Sequence, residues 1–444
     1  MEGVITSYDF VHSLYRTVIP HPGDRIPFEP RHALHLVAAL LPMMYMAYLA
    51  RRPDTFLLRI MLLPLAVLSI LGTFFRFAVL EVGYGTTNWG LASLALTTIA
   101  KAIDYAWRPE GMLKIGEEKP GVSIKSPNRR NGSGSPGDPD ALTATSSVWQ
   151  RRLPAWMYDS LELLLTNRGI GWKFGAGVYI PKEHRSLERS AFLSETLASF
   201  LHSFLVFDAC ESFIKLVPGL NTPEGGTMFR PELPIPQRYI LSTAVHIATG
   251  SAIVAGFDLY YHLSTLVGVG LLSNEPSSWP PVMDHPWQSD SLHIFWAKRW
   301  HQILRETFFV YGGFFGGLVA GNIGTVFGTF IGSGLFHEAG AYGLGRGFDP
   351  HVVFFFALQA PLLILERIWT RSSGHRVKGI YGRLWVYFCI VVLGQPLVDS
   401  WHRRGLGGGY VIDPRISPSR LLLIPFLRWF TELLGLHSVS VLLG

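Results

Sequence analysis

Eight stretches of this chain are apolar over lengths that approach or exceed the roughly 20 residues a helix needs to cross a bilayer. They cover residues 33–50, 56–80, 192–217, 239–272, 308–335, 352–369, 381–401 and 421–434, with a weaker one at 89–103. Two are too long for one upright crossing. Residues 239–272 and 308–344 each fit either a strongly tilted helix or two pieces with a break. The expectation is an all-α, polytopic transmembrane helical bundle of about eight to ten spans. Composition agrees. Only 16% of the 444 residues are charged, against about 25% in soluble domains. That excludes a disordered chain, a coiled coil and a nucleic-acid-binding protein. The net charge of +6 reflects contact with a membrane surface. Cys210 and Cys389 lie in apolar runs and read as inert thiols, not as a disulfide or a zinc site.

Three blocks follow: an N-terminal membrane block (1–107), a flexible polar loop (108–150) rich in Gly, Pro, Ser and charge, and a second membrane block (151–444). The loop carries a glycosylation sequon at Asn131. The first thirty residues hold Asp9, Arg16, Pro20, Pro22 and Pro27, unlike the apolar core of a signal peptide. Basic residues flank nearly every span, so charge does not fix the orientation.

Ionisable residues inside spans are functional candidates by default. Residues 192–217 carry Glu195, His202, Asp208, Glu211 and Lys215, with Glu211 and Lys215 one turn apart. An intramembrane ion pair is the plainer reading, and a polar cavity wall the sharper one. Asp258 and His262, four apart, fit a mutually satisfying pair. The 308–344 segment is the most distinctive. Glycines recur every fourth residue at 313, 317 and 321, then at 324, 328 and 332, a face that lets another backbone approach closely. It ends in IGSGLFHEAG, which sets His337 near a membrane boundary or in a cavity, with Ser333 and Gly334 leaving space on the preceding turn. Upstream, residues 291–309 wind into an interfacial amphipathic helix. Phe295, Trp296 and Trp300 line one side, Lys298, Gln302 and Arg305 the other, and His301 the border. No nucleophile elbow, P-loop, dinucleotide fingerprint or H-E-x-x-H zinc motif occurs, and no metal site is expected. His285 and Asp290 have H-x4-D spacing, a match that arises easily by chance.

The stretch from Trp279 to Phe309 resembles the signature of wax-synthase-like proteins, a branch of the membrane-bound O-acyltransferases. It matches at Trp279, Pro280, Pro281, Pro286, Trp287, Ser291, Leu292, Phe295, Trp296, Arg299, Trp300 and His301. IGSGLFHEAG resembles the second motif of that family, and LTNRGIGWKFG (165–175) a third segment. The Trp300-His301 pair is similar to fungal enzymes that acetylate terpenoid and meroterpenoid hydroxyls. Ala297-Lys298 stands where Gly-Arg is common, which keeps the charge but loses the bidentate fork.

The resemblance implies acyl transfer from acetyl-CoA, a co-substrate and not a resident cofactor, to a lipid-soluble alcohol in secondary metabolism. An alcohol needs a base to take its proton as it attacks the thioester. His337 is implied as that base. His301 would orient the acceptor or donate to the oxyanion, worth about 3–4 kcal/mol for one donor. Trp296, Lys298, Arg299, Trp300, Arg305 and Ser333 are implied to hold substrate or CoA, with the 296–305 helix on the cytosolic side of the endoplasmic reticulum membrane. A long-chain wax or sterol-ester synthase shares these motifs. A transporter is the alternative from another class. Oligomeric state is not legible.

Overall fold

The structure is a computed structural model that describes residues 7–81, 83–124 and 153–434. The protein is an all-α polytopic membrane protein. Among the described residues seven helices are long and apolar enough to cross a bilayer: Pro30–Ala50, Phe56–Phe74, Arg189–Leu216, Ile235–Leu271, Arg305–Leu344, Pro350–Ser373 and Gly379–Arg403. Expected spans at 89–103 and 421–434 are not among them. The first lies in the helix Thr86–Trp107, which carries Lys101 and Asp104. The second becomes the ten-residue helix Ile424–Leu433, short of the length a crossing needs.

The chain divides into two compact units that interleave along the sequence. One comprises Met1–Leu80, Gly90–Tyr179 and Gln302–Gly345, and the other Glu81–Trp89, Ile180–His301 and Arg346–Gly444. This differs from the sequential blocks 1–107, 108–150 and 151–444, because the segment bearing His337 belongs with the N-terminal helices.

In the first unit, Ala33–Ala50, Phe56–Phe74, Thr86–Trp107 and Ala155–Leu165 pack through small residues. Ala47, Ala50, Ala66, Ala95 and Ala102 are fully or almost fully buried beside Met46, Ile70, Tyr105, Leu163 and Trp172. Helices in lipid gain little from apolar burial alone, so close van der Waals contact between small side chains holds them together. Leu34, Met61 and Leu318 lie more than 70% exposed, where hydrocarbon covers them.

Residues 108–124, read from sequence as the start of a flexible loop, form ordered structure. A two-stranded turn, Glu117–Lys119 with Val122–Ser123, hangs on a buried ion pair. Arg51 donates to both Glu117 oxygens at 2.7 and 2.8 Å, and the Lys114 and Gly121 N–H groups donate to them at 2.7 and 3.1 Å. The rest of that expected loop, Asn131 included, lies outside the described residues.

The two overlong stretches resolve differently. Ile235–Thr265 continues without a break into the π-helical turn Leu266–Leu271. The Arg305–Leu344 stretch instead doubles back. Ala320 (φ −139°, ψ 28°) and Gly321 (φ 56°, ψ −141°) leave helical geometry, and only glycine takes up the second of these conformations without strain. The arms 305–319 and 322–341 then run antiparallel. A Cβ on Gly312 would collide with the Gly328 carbonyl and one on Gly316 with the Gly324 carbonyl, with the converse clashes at Gly328 and Gly324. Gly313 and Gly317 face Thr329 and Thr325 instead. The partner backbone expected for the glycine face is thus the other half of the same segment, and Gly321 is its turn. At about 1.5 Å per residue the first arm spans about 22 Å, less than the roughly 30 Å hydrocarbon layer. The hairpin returns the chain to the side it came from.

Two predictions follow from this packing. In a background without Cys210 and Cys389, Arg305→Cys and Leu344→Cys should react with a membrane-impermeant thiol reagent from the same side of sealed vesicles; labelling from opposite sides would mean a single crossing. Burial alone would raise the Glu117 carboxyl, but the bonds from Arg51 and the two backbone N–H groups hold it below its ordinary 4.5. Its contribution is therefore present above that value and lost as the pH falls through the lowered one. At pH 7, Glu117→Gln should cost about 1.5–3 kcal/mol by removing the charged acceptor of two Arg51 bonds, Asp159 remaining near that guanidinium at 3.5 Å, measured as a lower thermal midpoint in detergent.

Candidate active site

His337 sits on the second arm of the hairpin. Sixteen residues separate it from the turn at Gly321, about 24 Å along the axis, so it lies at the foot of the hairpin and not at its tip. Gly332 lets the arms close there, since a Cβ would meet the Phe308 carbonyl at 2.8 Å. The His337 ring is half-buried between Phe308 and Phe336, at centroid distances of 5.7 and 5.4 Å. Its Nδ1 lies 2.7 Å from the Ser333 carbonyl oxygen. A carbonyl only accepts, so Nδ1 carries the proton and, in the neutral ring, the lone pair is on Nε2. The Ser333 hydroxyl, at 3.4 Å from Nδ1, adds little.

The foot of the first arm is tied down by residues that the sequence did not single out. Arg108 bridges two carboxylates, Asp104 at 2.7 Å and Glu306 at 2.6 Å. Beside them Lys101 donates to the carbonyls of Leu164 and Thr166 at 2.6 and 2.8 Å. Lys101, Asp104 and Glu306 border a cavity of about 20 Å³, room for about one water. Their partners are up to about two hundred positions away in sequence, so no local pattern announces them.

His301 belongs to the other unit, so the sequence-predicted pair of histidines is split between the two. It is buried and stacks on Phe257 at 4.2 Å, with Trp300 beside it at 5.3 Å. Trp300 in turn stacks on Phe295 at 5.4 Å. Trp296 donates through Nε1 to the Gln359 side-chain oxygen at 3.2 Å, and Gln359 donates on to the Phe355 carbonyl at 3.0 Å. The amphipathic helix expected over 291–309 is not continuous. A single turn Leu292–Ile294 runs into the π turn Phe295–Arg299. Trp300 then turns extended (φ −76°, ψ 151°), and helix resumes only at Arg305. The tryptophan stripe suits a helix, but Trp300 N–H bonds to the Phe295 carbonyl five residues back, and the ladder ends there.

Lys298 and Arg305 are exposed, as a role toward phosphate requires. Arg299 is committed elsewhere: it donates to the carbonyls of Asp284 and His285 at 3.2 and 3.0 Å. His285 has a φ of 46°, strained for a non-glycine residue, and the guanidinium holds that turn. The third motif also does structural work. Trp172 is 1% exposed in the first unit, with Arg51 over its ring at 5.0 Å, and a Cβ on Gly175 would strike the Gly169 carbonyl.

The other intramembrane charges are likewise spent on backbone. Glu211 accepts from Val411 N–H at 2.7 Å and from Arg420 at 2.7 Å. Lys215 donates to the carbonyls of Gly407 and Gly409 at 2.9 and 2.8 Å, and Asp208 accepts from Ser419 N–H at 2.7 Å. These groups clasp the 407–420 segment; the expected Glu211–Lys215 pair is replaced by separate partners. Nor does a hydrogen bond join Asp258 to His262 among the described residues; His262 packs edge-on to Tyr261 at 5.1 Å instead.

Residues 279–358, which contain both His301 and His337, match the family model for the membrane bound O-acyl transferase family. The acetyltransferase eriL of Hericium erinaceus is 24% identical over 288 residues, 61% of this chain and 72% of its own length. The O-Mevalon transferase yanI of Aspergillus niger is 26% identical over 266 residues, covering 52% and 57%. The acetyltransferase ataH of Aspergillus terreus is 29% identical over 155 residues, covering 33% and 51%. These matches support an O-acyltransferase.

The position of Arg299 separates two roles. If it holds the 284–285 turn, Arg299→Ala costs about 1.5–3 kcal/mol of stability, as bonds from a charged donor do, read as a lower thermal midpoint. The KM for the acyl donor should then stay within about twofold of wild type. A large rise in KM with unchanged stability would assign it to the donor.

Proposed function

We propose that this protein is an acetyl-CoA-dependent O-acetyltransferase acting on a hydroxyl of a hydrophobic natural product, a terpenoid or meroterpenoid, with His337 as general base. The reading rests on the Nδ1 contact of His337 with the Ser333 carbonyl. That contact fixes the tautomer a base needs. Two of the relatives are named acetyltransferases, which supports acetyl as the group transferred.

In the proposed step Nε2 of His337 takes the hydroxyl proton as the alcohol oxygen attacks the thioester carbonyl. The tetrahedral intermediate then collapses, the carbon–sulfur bond breaks, and the departing thiolate receives the proton from the imidazolium. No acyl-enzyme is required. The role of His301, to orient the acceptor or donate to the oxyanion, rests on the resemblance alone, as do the contacts of Trp296, Lys298, Arg299, Trp300, Arg305 and Ser333 with substrate or CoA. A lipid-soluble acceptor would enter from the bilayer and CoA from the cytosol, in keeping with an endoplasmic reticulum location.

A second reading, transfer of a group other than acetyl, draws on the relative named O-Mevalon transferase. Membranes containing the protein, supplied with acetyl-CoA or palmitoyl-CoA and a panel of hydroxylated terpenoids, should yield a product heavier by one acetyl group; acylation by palmitate alone would replace this reading with a wax- or sterol-ester synthase. His337→Ala should insert and melt like wild type while turnover falls on the order of 10²- to 10⁴-fold, the span of a lost general base. Turnover near wild type in that variant would remove His337 from the chemistry.

A further inference from the structure

Two guanidinium groups converge on one tyrosine at the foot of the second arm, five residues past His337. Arg25 donates through Nη1 to the Gly343 carbonyl at 2.7 Å and through Nη2 to the Tyr342 carbonyl at 3.2 Å, and its charge lies 5.5 Å from the centre of the Tyr342 ring. Arg16 donates to the Tyr342 hydroxyl at 3.1 Å. It comes from the helix Ser7–Val18 and lies over the exposed ring of Tyr15.

The charges do not balance. Among the described residues no carboxylate forms an ion pair with Arg16 or Arg25, whereas Arg51, Arg52 and Arg108 of this unit each have one and buried Arg59 is met by three carbonyls instead. Asp24 acts on Arg16 from a distance without bonding to it. Arg25 is 8% exposed, and its Nε is buried with no acceptor. The end of the helical arm offsets part of one charge through its dipole. Among the described residues a second full positive charge beside it has no carboxylate opposite. A buried cation without an anion is costly, and a guanidinium fork suits phosphate oxygens above other anions.

We infer that Arg16 and Arg25, with Tyr342 between them, form a binding site for a phosphate group at the foot of the hairpin. Two molecules present this chemistry at a membrane surface. One is the acyl donor, whose nucleotide end carries a 3′-phosphate and a diphosphate; this source rests on the acyl-CoA reading above. The other is an anionic phospholipid, whose phosphate lies at headgroup level. In either case the bound anion sits about 7.5 Å along the arm axis from His337.

The full-length protein in nanodiscs tests this. Titration with CoA and with 3′-dephospho-CoA in phosphatidylcholine discs reads the donor source. The rise in thermal midpoint on replacing part of the phosphatidylcholine by phosphatidate reads the lipid source. Arg16→Gln should weaken CoA binding about tenfold, or remove most of the phosphatidate effect, as loss of a charge-assisted contact does. Arg16→Lys should keep most of either response. The same holds for Arg25→Lys relative to Arg25→Gln, should the latter fold. An unchanged CoA affinity together with an unchanged phosphatidate response in folded Arg16→Gln overturns the inference. So does an equal loss in Arg16→Lys, which would point to packing and not charge. Binding is read without turnover, so a protein that binds CoA here but transfers no acetyl group would sink the proposed function and leave this site standing.

Discussion

Contact between two stretches of main chain, with no side chain between them, organises the first unit. A peptide chain in hydrocarbon must satisfy its own N–H and C=O groups, which penalises any reversal inside the membrane. The glycine hairpin keeps both helical ladders running to within a residue of the turn. Close approach of the arms supplies dispersion and Cα–H···O contacts in return. That single device sets the height of His337 and the direction in which its arm ends. It also brings Tyr342 to the surface on which Arg16 and Arg25 meet it.

The charges in the spans obey the same constraint from the other side. Arg59, 1% exposed in Phe56–Phe74, donates to the carbonyls of Tyr105, Arg108 and Pro109 where the helix Thr86–Trp107 ends. Lys215, Glu211 and Asp208 perform the matching service for the 407–420 segment. Peptide groups that leave a helix inside a membrane protein need partners, and long polar side chains on neighbouring helices supply them. An ionisable residue in a span is therefore ambiguous until its partner is known. Most of those in this chain are fasteners for irregular backbone.

This explains what was readable in advance. Helix positions were legible, because apolar length in a bilayer leaves little choice. The motif residues His301 and His337 were legible through resemblance. The hairpin was only half legible. Glycines every fourth residue fit equally a straight helix against a neighbour or a helix against itself. The one local clue is the interval of three from Gly321 to Gly324, where the fourfold rhythm slips. The 291–309 helix misled because a tryptophan stripe fixes which residues share a side, not whether the ladder continues past Trp300. Asp258 and His262 misled because spacing shows that two groups are able to meet, not that they do. The Arg108 bridge and the Arg16–Arg25 pair were invisible, since their partners lie far off in the sequence.

The hairpin also limits how this protein can change. When two side chains clash, evolution repairs the damage by trimming either one. At Gly312, Gly316, Gly324 and Gly328 the obstacle facing a new side chain is a carbonyl of the opposite arm, which no codon can shorten. A substitution there has no reciprocal cure across the seam. A lineage that loses one of these glycines must reroute the whole segment, whereas the lipid-facing residues a few positions away are at liberty to drift.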